Sequence, residues 1–62
     1  MKNNIHAMRM DMGITQEALA RAISVSRQTI LAIEKGHCEP SVFLALKIAR
    51  FFKKPVEKIF FI

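Results

Sequence analysis

The sequence predicts an all-α fold of five short helices, and three observations lead there. Apolar residues recur at spacings of three and four along most of the chain, the period of a helix with one buried face. Helix starts are marked by Thr15, Ser26 and Ser41, whose side-chain oxygens suit N-caps, and helix ends by Gly13 and Gly36. Between residues 16 and 35, two such segments follow each other so closely that only a tight turn fits between them.

The 62 residues are read as one domain spanning 1–62, near the lower size limit for a chain that folds without metals or disulfides. A single cysteine rules out an internal disulfide, so the core must supply the stability. The apolar content of 52% is more than so small a body can hide, which points to a second subunit covering part of it. Ten Lys and Arg against five Asp and Glu give a formal charge of +5, which favours a polyanionic partner. Residues 1–4 are polar with no apolar stretch after them, and no run approaches the roughly 18 to 20 residues of a membrane span. The expectation is a soluble, cytoplasmic protein in a reducing compartment.

Residues 4–12 read as the first helix, with Ile5, Met8 and Met12 as its buried stripe and Gly13 as its left-handed stop. Arg9 lies beside that stripe, where a long basic side chain either faces solvent or pairs with an acid on another helix. Glu34 is the candidate acid. His6 is read as a surface residue, since no second ligand stands at i+4. Thr15 caps the second helix and places Glu17 in its first turn, where a negative charge suits the helix dipole. Ser24 stands at the turn that follows, where the chain needs positive φ and glycine is favoured.

The third helix, 27–35, starts behind the Ser26 cap. Ile30 and Ile33 face the core, which leaves Arg27, Gln28, Leu31 and, at the edge, Ala32 outward. Nine residues rise roughly 13 Å, a length that fits across a DNA major groove. Arginine pairs with guanine and glutamine with adenine, so Arg27 and Gln28 are the candidates for base readout, with Thr29 beside them. Leu31 is either an ordinary exposed leucine or a contact to a thymine methyl. Gln16, first in the second helix, is a candidate phosphate contact and support for Gln28. Lys35 and the backbone N–H groups around Gly36 are candidates to hold a phosphate next to the helix. Cys38 in the following loop is read as a half-buried small hydrophobe, and no metal site or cofactor is expected. Helix four, from 41 to 52, is apolar on more than one face and is expected to be central. Pro55 opens a short fifth helix, a short extended segment is expected to end the chain at a dimer interface, and Ile59, Phe60, Phe61 and Ile62 are the expected interface residues, because a monomer of this size has little room to bury them.

With those residues in view, the chain resembles the Cro/cI-type helix-turn-helix regulators of the XRE family, especially the small stand-alone members. The likeness is carried by Arg9, by GITQEALA from Gly13 to Ala20, by VSRQTI from Val25 to Ile30, by AIEKG from Ala32 to Gly36, and by LALKIA from Leu44 to Ala49. It implies a lambda-repressor-like domain of five helices, operator binding as a twofold homodimer, and a recognition helix that begins at Arg27. It also implies phosphate contacts from Gln16 and Ser26 and a structural ion pair between Arg9 and Glu34. The sequence departs from the common pattern at Ser24, Leu31, Cys38 and Glu39.

The leading expectation is therefore a sequence-specific, dimeric regulator binding double-stranded DNA, most simply a repressor. A rival is an antitoxin-like protein whose apolar C-terminal part covers a second protein. Another is a general basic nucleic-acid binder, against which the absence of Tyr and Trp counts, since no stacking platform is available. No nucleophile, base and orienting group occur together, so no enzyme is expected.

Overall fold

The hydroxyl caps anticipated from the sequence set the frame of the molecule. In the computed structural model, which describes residues 1–62, Thr15 Oγ1 accepts from the Ala18 N–H at 3.0 Å, Ser26 Oγ from Thr29 at 3.2 Å and Ser41 Oγ from Leu44 at 3.1 Å. Each fixes the start of a helix by satisfying an N–H that has no partner within the helix. The helices are α1 (Ile5–Met12), α2 (Gln16–Ala22), α3 (Arg27–Glu34), α4 (Val42–Phe52) and α5 (Val56–Ile59). Two short strands flank them, β1 (Lys2–Asn3) and β2 (Phe60–Phe61), which pair antiparallel with Lys2 opposite Phe61 and Asn3 opposite Phe60. This strand pair joins the two ends of the chain; the sequence predicts the extended C-terminal segment but not its partner, β1.

The first four helices end alike. At Gly13, Ser24, Gly36 and Lys53 the backbone turns to positive φ, between 57 and 77°. The N–H of each turning residue bonds three positions back and the next N–H bonds five back, as in Ser24 to Arg21 and Val25 to Ala20. Two of these sites carry glycine and two do not. Ser24, at φ 61°, keeps a Cβ in a region that costs an L residue on the order of 1 kcal/mol. A Ser24→Gly variant is expected to melt higher by about 4 to 8 °C, the shift that about 1 kcal/mol produces in a domain of this size. Calorimetry on the two proteins measures this, and an unchanged melting temperature would mean that the turn is unstrained.

Eleven apolar residues form the core, among them Ile5, Leu19, Ile30, Ile33, Ile48 and Ile59, each at most 1% exposed. Ala20 is buried where α2 meets α3, and its single methyl lets the two backbones approach. Three expectations are corrected. Met12 is half exposed, because α1 turns its Ile5–Arg9 row inward and its last turn lies at the rim of the body. Cys38 is exposed rather than half-buried. Ile59 and Phe60, expected to be left for a partner, are buried within the monomer at 0 and 7% exposure. The strand pair explains this: residue alternation along β2 sends Phe60 into the core and Phe61 outward. Phe61 and Ile62 do stay exposed, as do Val42, Phe43 and Leu46 on α4.

Candidate nucleic-acid interface

The site grows out of the turn between α2 and α3. Ser24 and Val25 reverse the chain, Ser26 caps α3, and Leu19, Ala20, Ile30 and Ile33 lock the two helices face to face. The outer face of α3 is thereby fixed. Arg27 and Gln28 stand exposed in its first turn, with no ion pair or side-chain hydrogen bond of their own. An unengaged guanidinium and amide at a helix N-terminus are free to meet an outside partner at little cost in broken contacts. Thr29 is half-buried, and its hydroxyl lies 2.9 Å from Ser26 Oγ, so these two side chains support each other. Leu31 is half-buried at the edge of the helix, and Lys35 is exposed just beyond its end.

Behind this face is a polar network linking three helices. Arg9 from α1, 4% exposed, gives Nε to Glu34 Oε2 and Nη2 to Glu34 Oε1 at 3.1 Å, the two-pronged grip that a guanidinium makes on a carboxylate. Its Nη1 donates to the Ile14 carbonyl at 3.0 Å, and Nη2 also lies 3.1 Å from His6 Nδ1. Gln16 Nε2 donates to Glu34 Oε1 at 3.2 Å. The Arg9–Glu34 pair anticipated from the sequence is thus present, and every polar atom buried with it has a partner. Gln16 is placed differently from expectation, with its amide anchored to Glu34 rather than to Gln28. The reason is position: α2 begins where α3 ends, so the first residue of one faces the last residue of the other.

Burial alone raises the Glu34 carboxyl, but hydrogen bonds from Arg9 and Gln16, together with the charges of Arg9 and His6, outweigh it and hold the group below its ordinary value of 4.5. A carboxylate depressed in the folded state stabilises the fold above its unfolded value, and that stabilisation disappears as the pH falls through the folded value. The melting-temperature advantage of the wild type over Glu34→Gln is therefore expected to be level above about pH 4.5 and to shrink below it. Thermal melts of both proteins across that range decide it, and an advantage that stays constant on acidification rules out the ion pair as its source.

A further expectation gives way here. The N–H groups of Lys35, Gly36 and His37 bond the carbonyls of Leu31, Ile33 and Ala32, closing the end of α3, so they are not available to cradle a phosphate. The Lys35 ammonium remains for that purpose at this end, with the Met1 ammonium nearby at 3.3 Å from the Gly36 carbonyl. The sequence reading also missed Asn3, whose amide reaches the Ile33 carbonyl at 2.8 Å. Nothing in the local sequence marks an asparagine near the start of a chain as a partner of a residue thirty positions on.

A mostly helical body with a tight two-helix motif, a capped outer helix and free Arg and Gln in its first turn defines the DNA-binding helix-turn-helix class. Residues 5–59 match the family described as Helix-turn-helix, and the chain belongs to its XRE-type branch of transcriptional regulators. It is 53% identical over 60 residues to an uncharacterized HTH-type transcriptional regulator of Methanocaldococcus jannaschii, with 97% of this chain and 91% of that one covered. It is 44% identical over 62 residues to the uncharacterized HTH-type transcriptional regulator YgzD of Bacillus subtilis, covering all of this chain and 94% of the relative. The cryptic phage CTXphi transcriptional repressor RstR of Vibrio cholerae shares 32% over 57 residues, 92% of this chain but 51% of RstR. The family is one of DNA-binding regulators rather than of enzymes. No helix is long and apolar enough to cross a membrane.

Proposed function

We propose that this regulator reads a specific duplex sequence by laying α3 in the major groove, with Arg27 and Gln28 at base edges and Gln16, Ser26, Thr29, Leu31 and Lys35 around them. The observation that carries the reading is the pair of exposed, unengaged side chains directly after the Ser26 cap. The helix is eight residues long, about 12 Å, so it spans a few base pairs. Ser26 and Gln16 flank it as phosphate contacts. The Gln16 amide has a second N–H to offer while the first is held by Glu34.

The same protein acts as a homodimer on a palindromic operator and represses by occluding a promoter in the cytoplasm. Support for the dimer comes from Val42, Phe43, Leu46, Phe61 and Ile62, large apolar side chains left exposed on a body measuring 25 × 21 × 19 Å. Val42, Phe61 and Ile62 line a mostly apolar groove of about 340 Å³ between α4 and the C-terminal strand. The expected dimer face thus keeps Phe61 and Ile62, gains the start of α4, and loses Ile59 and Phe60 to the core. Two recognition helices about 34 Å apart then read half-sites one helical turn apart. The name of RstR, a transcriptional repressor, supports repression over activation. The antitoxin-like alternative uses the same apolar face for a different protein.

Selection of bound sequences from a random duplex pool at physiological salt tests this reading, with affinities then measured on the winner and on a scrambled duplex. A palindrome bound roughly a thousandfold more tightly than the scramble is the expected outcome. Absence of any enriched motif, with steep salt dependence on every duplex, points to non-specific binding or to a missing partner chain.

A further inference from the structure

Asn3 occupies a junction that the helix-turn-helix motif does not contain. Its backbone stands opposite Phe60 in the terminal strand pair. Its side chain is part-buried, with Nδ2 donating to the Ile33 carbonyl at 2.8 Å and to the Met1 carbonyl at 3.3 Å, while Oδ1 accepts from the Ile5 N–H at 3.1 Å. The amide orientation is dictated by these partners, since a flip would set Oδ1 against two carbonyls and Nδ2 against an N–H. One residue thus joins the start of α1, the end of α3 and the C-terminal strand.

The far end of α3 is held to α1 and α2 by the Arg9–Glu34 pair and the Gln16 amide, and to the core by Ile33. Asn3 adds the tie to the terminal strands, through a helix-end carbonyl that has no partner within the helix. The Ile33 carbonyl accepts from Gly36 at 3.0 Å and from Asn3, so both lone pairs are used. The strand that carries Asn3 is anchored in turn, because the next residue, Asn4, donates its N–H to the Ile59 carbonyl at 2.9 Å and its amide to the Lys58 carbonyl at 3.1 Å. Each further tie at the far end narrows the range of angles open to the helix. We propose that Asn3 is a positioning residue for sequence readout, fixing the angle at which α3 presents Arg27 and Gln28 by tying its C-terminal end to the paired terminal strands. The inference rests on the DNA-reading role of α3 proposed above. Asn3 itself touches no base.

Asn3→Ala is compared with Ile48→Val, a core trim within α4 that also lowers stability, at a temperature where both variants are folded by circular dichroism. Affinities are measured on the selected operator and on its scramble, together with amide hydrogen exchange. Asn3→Ala is expected to lose about tenfold in the operator-to-scramble ratio, comparable to losing one base contact, with little change on the scramble. Ile48→Val is expected to keep the ratio. The Gly36 and His37 amides are expected to exchange faster in Asn3→Ala, relative to Thr29, than in the wild type. An unchanged ratio in Asn3→Ala, or an equal fall in Ile48→Val, overturns the positioning role while leaving the DNA reading intact. A wild-type ratio near one removes both.

Discussion

Glu34→Leu is expected to cost about 3 to 5 kcal/mol, because it leaves the Arg9 guanidinium buried with no counter-charge. A domain of this length has roughly 3 to 9 kcal/mol of total stability at 0.05 to 0.15 kcal/mol per residue, so the variant should be largely unfolded well below the wild-type melting temperature. Arg9→Met should cost a similar amount by stranding the carboxylate, whose side chain is 6% exposed. The double variant Arg9→Met/Glu34→Leu is expected to recover most of the loss. Charges of opposite sign removed together take their desolvation penalties with them, and apolar side chains fill the space. Recovery will be incomplete, because the Ile14 carbonyl loses its donor and the Gln16 amide its acceptor. Urea titrations of the four proteins give the coupling between the two positions. Single losses that simply add in the double variant would show that the two side chains act independently.

The legibility of this network in the sequence was uneven. Arg9 beside an apolar stripe reads as either a solvated base or a partner for an acid on another helix, and it is the resemblance to the XRE family that singles out the pair with Glu34 at the end of α3. The caps are legible from the residues themselves: a hydroxyl before an apolar periodic run has a local job, and Thr15, Ser26 and Ser41 all perform it. Most other contacts between distant parts of the chain are not legible. Two-residue strands have no periodicity to detect, so the sequence points to an extended C-terminal segment but not to its pairing with β1, and gives no sign of the burial of Ile59 and Phe60 or the reach of Asn3 to Ile33. Lysine gives no hint of positive φ, so the turn at Lys53 is not marked, although the helix end there is built like the two that carry glycine. Gln16 shows the subtler failure. Its helix position was read correctly, but its amide follows the nearest strong acceptor, and that acceptor belongs to a residue eighteen positions away.

For the readout itself, Gln28→Ala and Arg27→Ala are each expected to reduce discrimination at one base pair by about 1 to 3 kcal/mol, while Lys35→Ala weakens all duplexes alike. Folding should be nearly unaffected in all three, since these side chains are exposed and α3 is held by Ile30, Ile33 and the Ser26 cap. Arg27 has two chemically reasonable targets. A guanidinium at the first position of a helix can fork onto guanine or stay at the rim and hold a phosphate. Salt dependence separates them. If Arg27 holds a phosphate, its removal lowers the slope of log affinity against log salt by about one unit and leaves the preference at every base pair unchanged. If it reads a base, the preference at one position collapses. Gln28 carries no charge, so its loss should leave the salt slope alone in either case. A neutral amide that alters the preference at one base pair without altering the slope would therefore be the cleanest sign that α3 reads sequence rather than charge. Equal losses for Gln28→Ala on operator and scrambled DNA would remove it from base contact and transfer the readout to Arg27 and the half-buried Leu31.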